Sequence, residues 1–194
     1  MQFTTHIAGG FLGCCLLVAA PALAGGQNAA APKPAVGTPI APAQSYGKLL
    51  SLTEQEFVSA AEAMPEDKFD FAPPTAYGEY KGVRTFGEQL KHVTEANEYY
   101  FRDSNKPLAE IRADIEKLKT KADILKALKD SFAMAHAYVD AMTPENAFVA
   151  LPSGSTRAYM VAFGIAHYMD HYGQLVEYLR MNGIVPPASR GGGM

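Results

Sequence analysis

The stretch AFGIAHYMDHYGQLVEYLRMNGIVPP, residues 162–187, gives the clearest indication of the fold. It is predicted to belong to one long helix that begins near Ser155 or Thr156 and ends at about Asn182. Gly183 is a favourable C-terminal stop, because glycine readily adopts the left-handed conformation in which many helices end. The two prolines that close the stretch prevent the helix from continuing.

Three further segments upstream carry apolar residues at spacings of three and four, which is typical of amphipathic helices. Pro65 ends the first of them, and Thr85 with Glu88 forms a capping-box pattern at the start of the second. The predicted helices cover residues 44–64, 85–105 and 121–142. The rest is assigned to loops at 65–84 and 143–155 and to a polar connector, with room for a short helical turn, at 105–121.

The apolar stripes of these segments predict which residues face a core. In the first helix they are Leu49, Leu52, Phe57, Ala60, Ala61 and Met64, and in the third Ile124, Leu125, Leu128, Phe132, Ala135 and Val139. No segment alternates convincingly with a period of two residues. The predicted fold class is therefore all-α, a four-helix bundle.

The composition is that of an ordinary globular protein, with 48% hydrophobic and 19% charged residues in 194. A chain of this length is expected to form one domain. The net charge is −3, and the basic residues are dispersed among acidic ones. Nucleic acid is therefore not an expected partner, because neutralising phosphates requires clustered Lys and Arg.

The first 24 residues carry no Asp, Glu, Lys or Arg and contain an apolar run that ends in Ala22-Leu23-Ala24. This pattern predicts a signal peptide over residues 1–24 and an exported protein, periplasmic or secreted, with no membrane segment after cleavage. An uncleaved membrane anchor and a lipoprotein signal acylated at Cys14 are the alternatives.

Both cysteines, Cys14 and Cys15, lie inside the predicted signal peptide. The mature chain is therefore expected to have no disulfide and no thiolate ligand, so a metal site would need His, Asp or Glu. Residues 25–43, rich in Ala, Pro and Gly, are predicted to form a flexible tether outside the fold. Residues 190–194 are predicted to form a disordered tail.

Two of the five histidines, His167 and His171, are four residues apart in the last predicted helix. Residues at this spacing lie on one helix face, so both imidazoles can reach one cation. A third ligand must come from another helix, and His92, beside the apolar stripe of the second helix, is the best-placed candidate. Three protein ligands leave one position open for water or substrate, as in reactive sites.

A second interpretation stays open, in which the histidines are hydrogen-bonded groups of a polar core. Tyr168 stands where zinc proteases of the HExxH type carry glutamate, so their chemistry is not predicted. His136 is assigned to the surface or the core as a lone histidine. The aromatic stripes are assigned to the core or to a homodimer face; they comprise Tyr99, Tyr100, Phe101, Tyr168, Tyr172 and Tyr178.

Two stretches, TFGEQLKHVTEANEYYF (85–101) and HYMDHYGQLVEYLRMNGIVPP (167–187), together resemble the DinB superfamily of four-helix bundles. The resemblance covers about residues 44–189 and rests on the order and spacing of the histidine motifs. It implies that His92, His167 and His171 bind a divalent metal, with water completing the shell. Zinc is the first candidate, and nickel, iron and manganese are the others.

The last helix departs from a pattern that many relatives share, H-x-x-H-H-R-G-Q. This chain reads HYMDHYGQ, with Asp170 and Tyr172 in place of the additional His and the Arg. The change removes a basic group near the site and puts in doubt the binding of an anionic thiol cofactor. Some relatives are thiol-dependent isomerases or transferases, so the resemblance implies an unknown small-molecule partner, with a thiol among the candidates.

Hydrolysis by a metal-activated water is a second chemistry, for which Glu88, Glu95 and Asp170 are the candidate bases. A structural role is favoured for each: Glu88 in the capping box, and the other two as solvated groups or as partners that orient an imidazole. Gln174 is a candidate for a hydrogen bond in the site or for packing at its edge, but supporting roles of Asp170 and Gln174 at the metal are not favoured.

Two hypotheses about function follow. One is a metal-dependent transferase or hydrolase that acts on a small substrate. The other is a non-catalytic metal-binding or stress-related module, with a homodimer as one form. A partly apolar cavity above the histidines favours the enzyme, and a triad sealed by tyrosines favours the module.

Overall fold

The computed structural model describes residues 1, 2, 4, 33–102 and 106–191. Most of the predicted signal peptide, the tether up to residue 32 and residues 192–194 of the tail lie outside this part, so cleavage and export stay predictions. Residues 33–41 are exposed and form no helix. In the described part of the chain, no helix is both long and apolar enough to cross a membrane.

Four long helices and one short helix make up the fold of the described residues. They are α1 (Pro42–Ala63), α2 (Phe86–Phe101), the short α3 (Leu108–Glu116), α4 (Lys121–Asp140) and α5 (Arg157–Met181). Single turns of 3-10 helix occur at Glu66–Lys68, Thr75–Tyr77 and Pro187–Ser189. The predicted all-α class is confirmed.

The long helices form a bundle in which α1 and α2 each pack against both α4 and α5. The short helix α3 lies outside this bundle, against α2. In the core, the rings of Phe57, Phe132 and Tyr168 meet with centroids 5.2–6.1 Å apart. The predicted four-helix bundle is therefore confirmed, with α2 and α5 as neighbours.

The connector at 105–121 contains more structure than the predicted turn, because α3 is a helix of nine residues. Ile111 and Ile115 lie one turn apart on it, and both are buried. Two apolar residues in a polar segment are too weak a stripe to predict a helix. Packing against α2 stabilises α3 where its own sequence does not.

The predicted inward face of α1 is wrong at two of its positions, Leu49 and Leu52. Leu49 and Leu52 are 43% and 52% exposed, while Leu50 and Thr53 are buried. The Thr53 hydroxyl donates to the backbone oxygen of Leu49 at 2.9 Å and forms a short hydrogen bond with the hydroxyl of Tyr168. Because its polar atom is satisfied in this way, threonine can occupy a core position.

The start of α2 and the end of α5 follow the sequence signals, whereas α2 ends at Phe101 and not at residue 105 as predicted. The Thr85 hydroxyl accepts from the Glu88 amide, and the Glu88 carboxylate accepts from the Thr85 amide, which completes the capping box. At the other end of the chain, Gly183 has a φ of +73° and the Ile184 amide donates to the Leu179 oxygen at 2.9 Å. These bonds form a Schellman motif, as the glycine predicted.

Gly164 allows the end of α2 to approach α5, because a Cβ at this position would lie 2.5 Å from Phe101 Cζ. We predict that Gly164→Ala lowers the free energy of unfolding by about 1–3 kcal/mol, since the added methyl overfills the contact. Gly173→Ala is the matched control on the same helix, where a Cβ meets nothing within 4 Å. It should be stabilising by about 0.5–1 kcal/mol through helix propensity. Urea denaturation measures both, and equal effects of the two substitutions would contradict the close contact.

Candidate metal centre

His92 of α2 and His167 and His171 of α5 form one cluster at the contact between these helices. Their ring centroids lie 4.8–5.1 Å apart. Each residue offers one ring nitrogen to a group in which all the nitrogens lie within 4.8 Å of one another. The structure therefore brings together the three histidines that the sequence singled out.

Two ring nitrogens of the cluster are buried without a hydrogen-bond partner, Nε2 of His167 and Nδ1 of His171. A buried polar atom left unsatisfied costs about 1–3 kcal/mol, so such atoms in a native fold need a partner. The interpretation as a hydrogen-bonded polar core does not account for them. A shared divalent cation would satisfy both nitrogens, so the donor set fits a metal.

The ligand nitrogens are more widely spaced than they would be around a bound zinc ion. Nitrogens that bind one tetrahedral zinc lie about 3.3 Å apart, given Zn–N bonds of about 2.0–2.1 Å. The nitrogens of this cluster lie within 4.8 Å of one another. Binding one zinc ion would therefore require them to approach by up to about 1.5 Å.

The environment keeps the three imidazoles neutral. Burial lowers the pKa of His92 and of His167, and the nearby Arg84 guanidinium lowers both further. Burial, followed by repulsion from the other two histidines, lowers the pKa of His171 to about 4. Neutral imidazole is the form that binds a metal ion, so at neutral pH no proton has to be displaced first.

A chain of amides crosses from α2 to α5 beside the cluster. Gln89 Nε2 donates to Gln174 Oε1 at 2.7 Å, and Gln174 Nε2 donates to Asp170 Oδ2 at 3.2 Å. Gln174 thus links α2 to Asp170 of α5, and it forms no hydrogen bond with a described histidine. Asp170 forms no hydrogen bond with a histidine, but its charge raises the pKa of His167 and His171 against the effect of burial.

Two arginines near the cluster were missed by the sequence analysis. Arg84 lies just before α2, where the Tyr178 hydroxyl of α5 donates to its backbone oxygen at 3.0 Å. Arg112 of α3 forms an ion pair with Glu95 of α2. These residues supply basic groups near the triad, which the HYMDHYGQ stretch of α5 lacks. No spacing signal could identify them, because one lies in a loop and the other in an unpredicted helix.

Two cavities border the cluster. One of about 190 Å³ is lined by residues of α2, α3 and α5: His92, Glu95, Ala96, Tyr99, Tyr100, Leu108, Arg112 and His167. Another, of about 840 Å³, also borders His92, Glu95 and Arg112. Tyr100 lies beside His167 with its ring centroid 5.8 Å away, but it does not seal the triad. The site is therefore open and partly apolar.

The other residues considered from the sequence are engaged in the fold or lie away from the cluster. Glu88 is engaged in the capping box. His136 Nε2 lies 2.6 Å from Glu54 Oε2, in a half-buried pair that is separate from the cluster. Tyr168, Phe101 and Tyr178 belong to the core, whereas Tyr99 is exposed.

The lowered pKa of His171 predicts a pH dependence of stability in the metal-free protein. In the unfolded chain this histidine titrates near pH 6.5, whereas the fold holds its pKa at about 4. The unfolded state therefore binds more protons between these values, so the free energy of unfolding should fall as the pH drops from about 6.5 towards about 4. Above that window this group has no effect.

Urea denaturation between pH 4.5 and 7.5, with a chelator present, measures this slope. His171→Gln should make it shallower, and His136→Gln, which leaves the cluster intact, serves as the control. An unchanged slope in His171→Gln would show that burial does not hold this imidazole neutral.

Comparison with known proteins identifies the family. No curated protein matches the sequence. The family model described as DinB superfamily matches residues 49–175, about two thirds of the chain, and this range includes all three clustered histidines. The chain therefore belongs to the DinB superfamily, as the resemblance predicted.

Proposed function

We propose that this chain is an exported, divalent-metal-dependent enzyme, a hydrolase or transferase that acts on a small substrate. The observation that carries the proposal is the open cluster of three neutral histidines, with two unpartnered buried nitrogens, beside cavities large enough for a ligand. The predicted signal peptide supports export. A non-catalytic module is disfavoured because the tyrosines do not seal the triad.

His92, His167 and His171 would hold the metal. A bound divalent ion supplies Lewis acidity and lowers the pKa of a coordinated water or thiol. Zinc suits a set of neutral imidazoles, and nickel, iron and manganese are the other candidates. Since the expected mature chain has no cysteine, a thiol would have to come from another molecule.

Glu95 is the carboxylate best placed to accept a proton from the nucleophile. It lines both cavities that border His92. Arg112 binds its Oε1 atom through two nitrogens, which leaves Oε2 without a hydrogen bond among the described residues. Glu88 and Asp170 are less suitable, because the first is held in the capping box and the second by Gln174.

Metal content tests the site directly. Purified protein, offered zinc, nickel, iron and manganese in turn, should retain close to one equivalent of one metal by mass spectrometry. The double variant His92→Ala/His167→Ala should retain at most a few per cent, because a single remaining imidazole binds weakly. His136→Ala is the matched control and should keep full occupancy, since this histidine pairs with Glu54 away from the cluster. Equal metal content in all three proteins would refute the site.

Glu95→Gln separates metal binding from catalysis. We expect this variant to retain its metal, because Glu95 is not a ligand, and to lose about 100-fold or more in turnover of a nitrophenyl ester panel. The control is Glu98→Gln, three residues further along the same helix and outside both cavities. Full activity in Glu95→Gln would assign the proton transfer to another group.

A further inference from the structure

The larger cavity beside His92 carries more charge than a metal site requires. Its walls hold four cationic side chains and three carboxylates: Arg84, Lys91, Arg112, Lys119, Glu88, Glu95 and Glu116. Several of these groups are already engaged. Arg112 pairs with Glu95, Glu88 is bound to the Thr85 amide, and Lys91 donates to the backbone oxygen of Glu116 at 3.2 Å.

Two cations of the cavity have no such partner. Neither the Arg84 guanidinium nor the Lys119 ammonium forms a hydrogen bond or an ion pair with any described residue; Arg84 is engaged only through its backbone oxygen. Both side chains line the cavity that borders His92. An anion in the cavity would give these two cations a partner.

A second, aromatic surface lies close to the triad. Tyr99 and Tyr100 line both the cavity of about 190 Å³ and a neighbouring groove of about 380 Å³. In that groove the rings of Tyr159 and Phe163 are stacked, 5.6 Å apart and 9° from parallel. Tyr99 and Tyr159 are more than half exposed. The cavity of about 190 Å³ thus connects the other two, because it shares His92 with the cationic cavity and the two tyrosines with the aromatic groove.

We infer that the substrate is an elongated amphiphilic anion. Its anionic oxygen group, a carboxylate or a phosphate monoester, lies in the cationic cavity at Arg84 and Lys119. Its aromatic or apolar body lies along Tyr99 and Tyr100. The bond to be cleaved or transferred is then held beside the triad. This inference rests on the proposed function for its reaction centre, but the binding of the anion is a separate property of the two cavities.

Isothermal titration calorimetry of zinc-supplemented and of metal-free protein tests it with three probes. These are 4-phenylbutyrate, phenyl phosphate and the neutral 4-phenylbutyramide. Both anions should bind, and 4-phenylbutyrate should bind at least about tenfold more tightly than its amide, since bonds to charged groups contribute more than neutral ones. The tighter of the two anions identifies carboxylate or phosphate as the preferred group.

Matched variants test which residues bind each end of the probe. Arg84→Gln/Lys119→Gln should weaken binding of the anions about tenfold or more and leave that of the amide unchanged. Lys48→Gln/Lys126→Gln removes the same charge from exposed positions outside the cavity and should change neither. Tyr99→Ala should weaken 4-phenylbutyrate and the amide alike, whereas Tyr77→Ala, at an exposed tyrosine elsewhere, should weaken neither.

The inference is overturned if neither anion binds, if the amide binds as tightly as 4-phenylbutyrate, or if Arg84→Gln/Lys119→Gln binds the anions like the wild type. The last result is also the one expected if a carboxylate is held by the metal alone. Metal content is measured in each sample. A protein that takes up no metal but binds the anions through Arg84 and Lys119 supports the inference while overturning the proposed function.

Discussion

The contact between α2 and α5 decides where chemistry can occur in this protein. It places His92 against the two histidines of α5 and removes ring nitrogens from water without giving them hydrogen-bond partners. The close approach of Phe101 to Gly164 belongs to the same contact. Any change that separates the two helices would separate the imidazoles, because His92 lies on one helix and the other two histidines on the other. The histidine cluster and the packing of the bundle are thus one feature.

The charges around the cluster affect both the protonation of the histidines and the binding of a charged ligand. Burial and the Arg84 guanidinium both disfavour imidazolium, so the histidines remain neutral and able to bind a cation. The same guanidinium would repel a bound cation, and it has no side-chain partner among the described residues, so it is available to an anionic ligand that approaches from the cavity.

The short helix α3 contributes more to the site than its weak sequence signal suggests. It supplies Arg112, which fixes one oxygen of Glu95, and it forms walls of both cavities beside His92. Two buried isoleucines form its apolar contact, and the Arg112–Glu95 ion pair and the bond from Lys91 to the Glu116 oxygen tie it to α2. The helix with the weakest sequence signal thus forms part of the space in which a substrate would lie.

Local signals in the sequence determined the helices, their ends and the three histidines, because spacing, caps and glycine stops act within one or two turns. The capping box at Thr85 and the stop at Gly183 are of this kind. Only the tertiary structure decided that Thr53 faces the core in place of Leu52, that α3 is a helix, and that Arg84 and Arg112 flank the triad. Each of these depends on partners far away in the chain, such as Tyr168 for Thr53 and Tyr178 for Arg84. Contacts between residues far apart in the chain leave no periodic pattern in a single sequence. The candidate ligands of the site could therefore be predicted, but its surroundings could not.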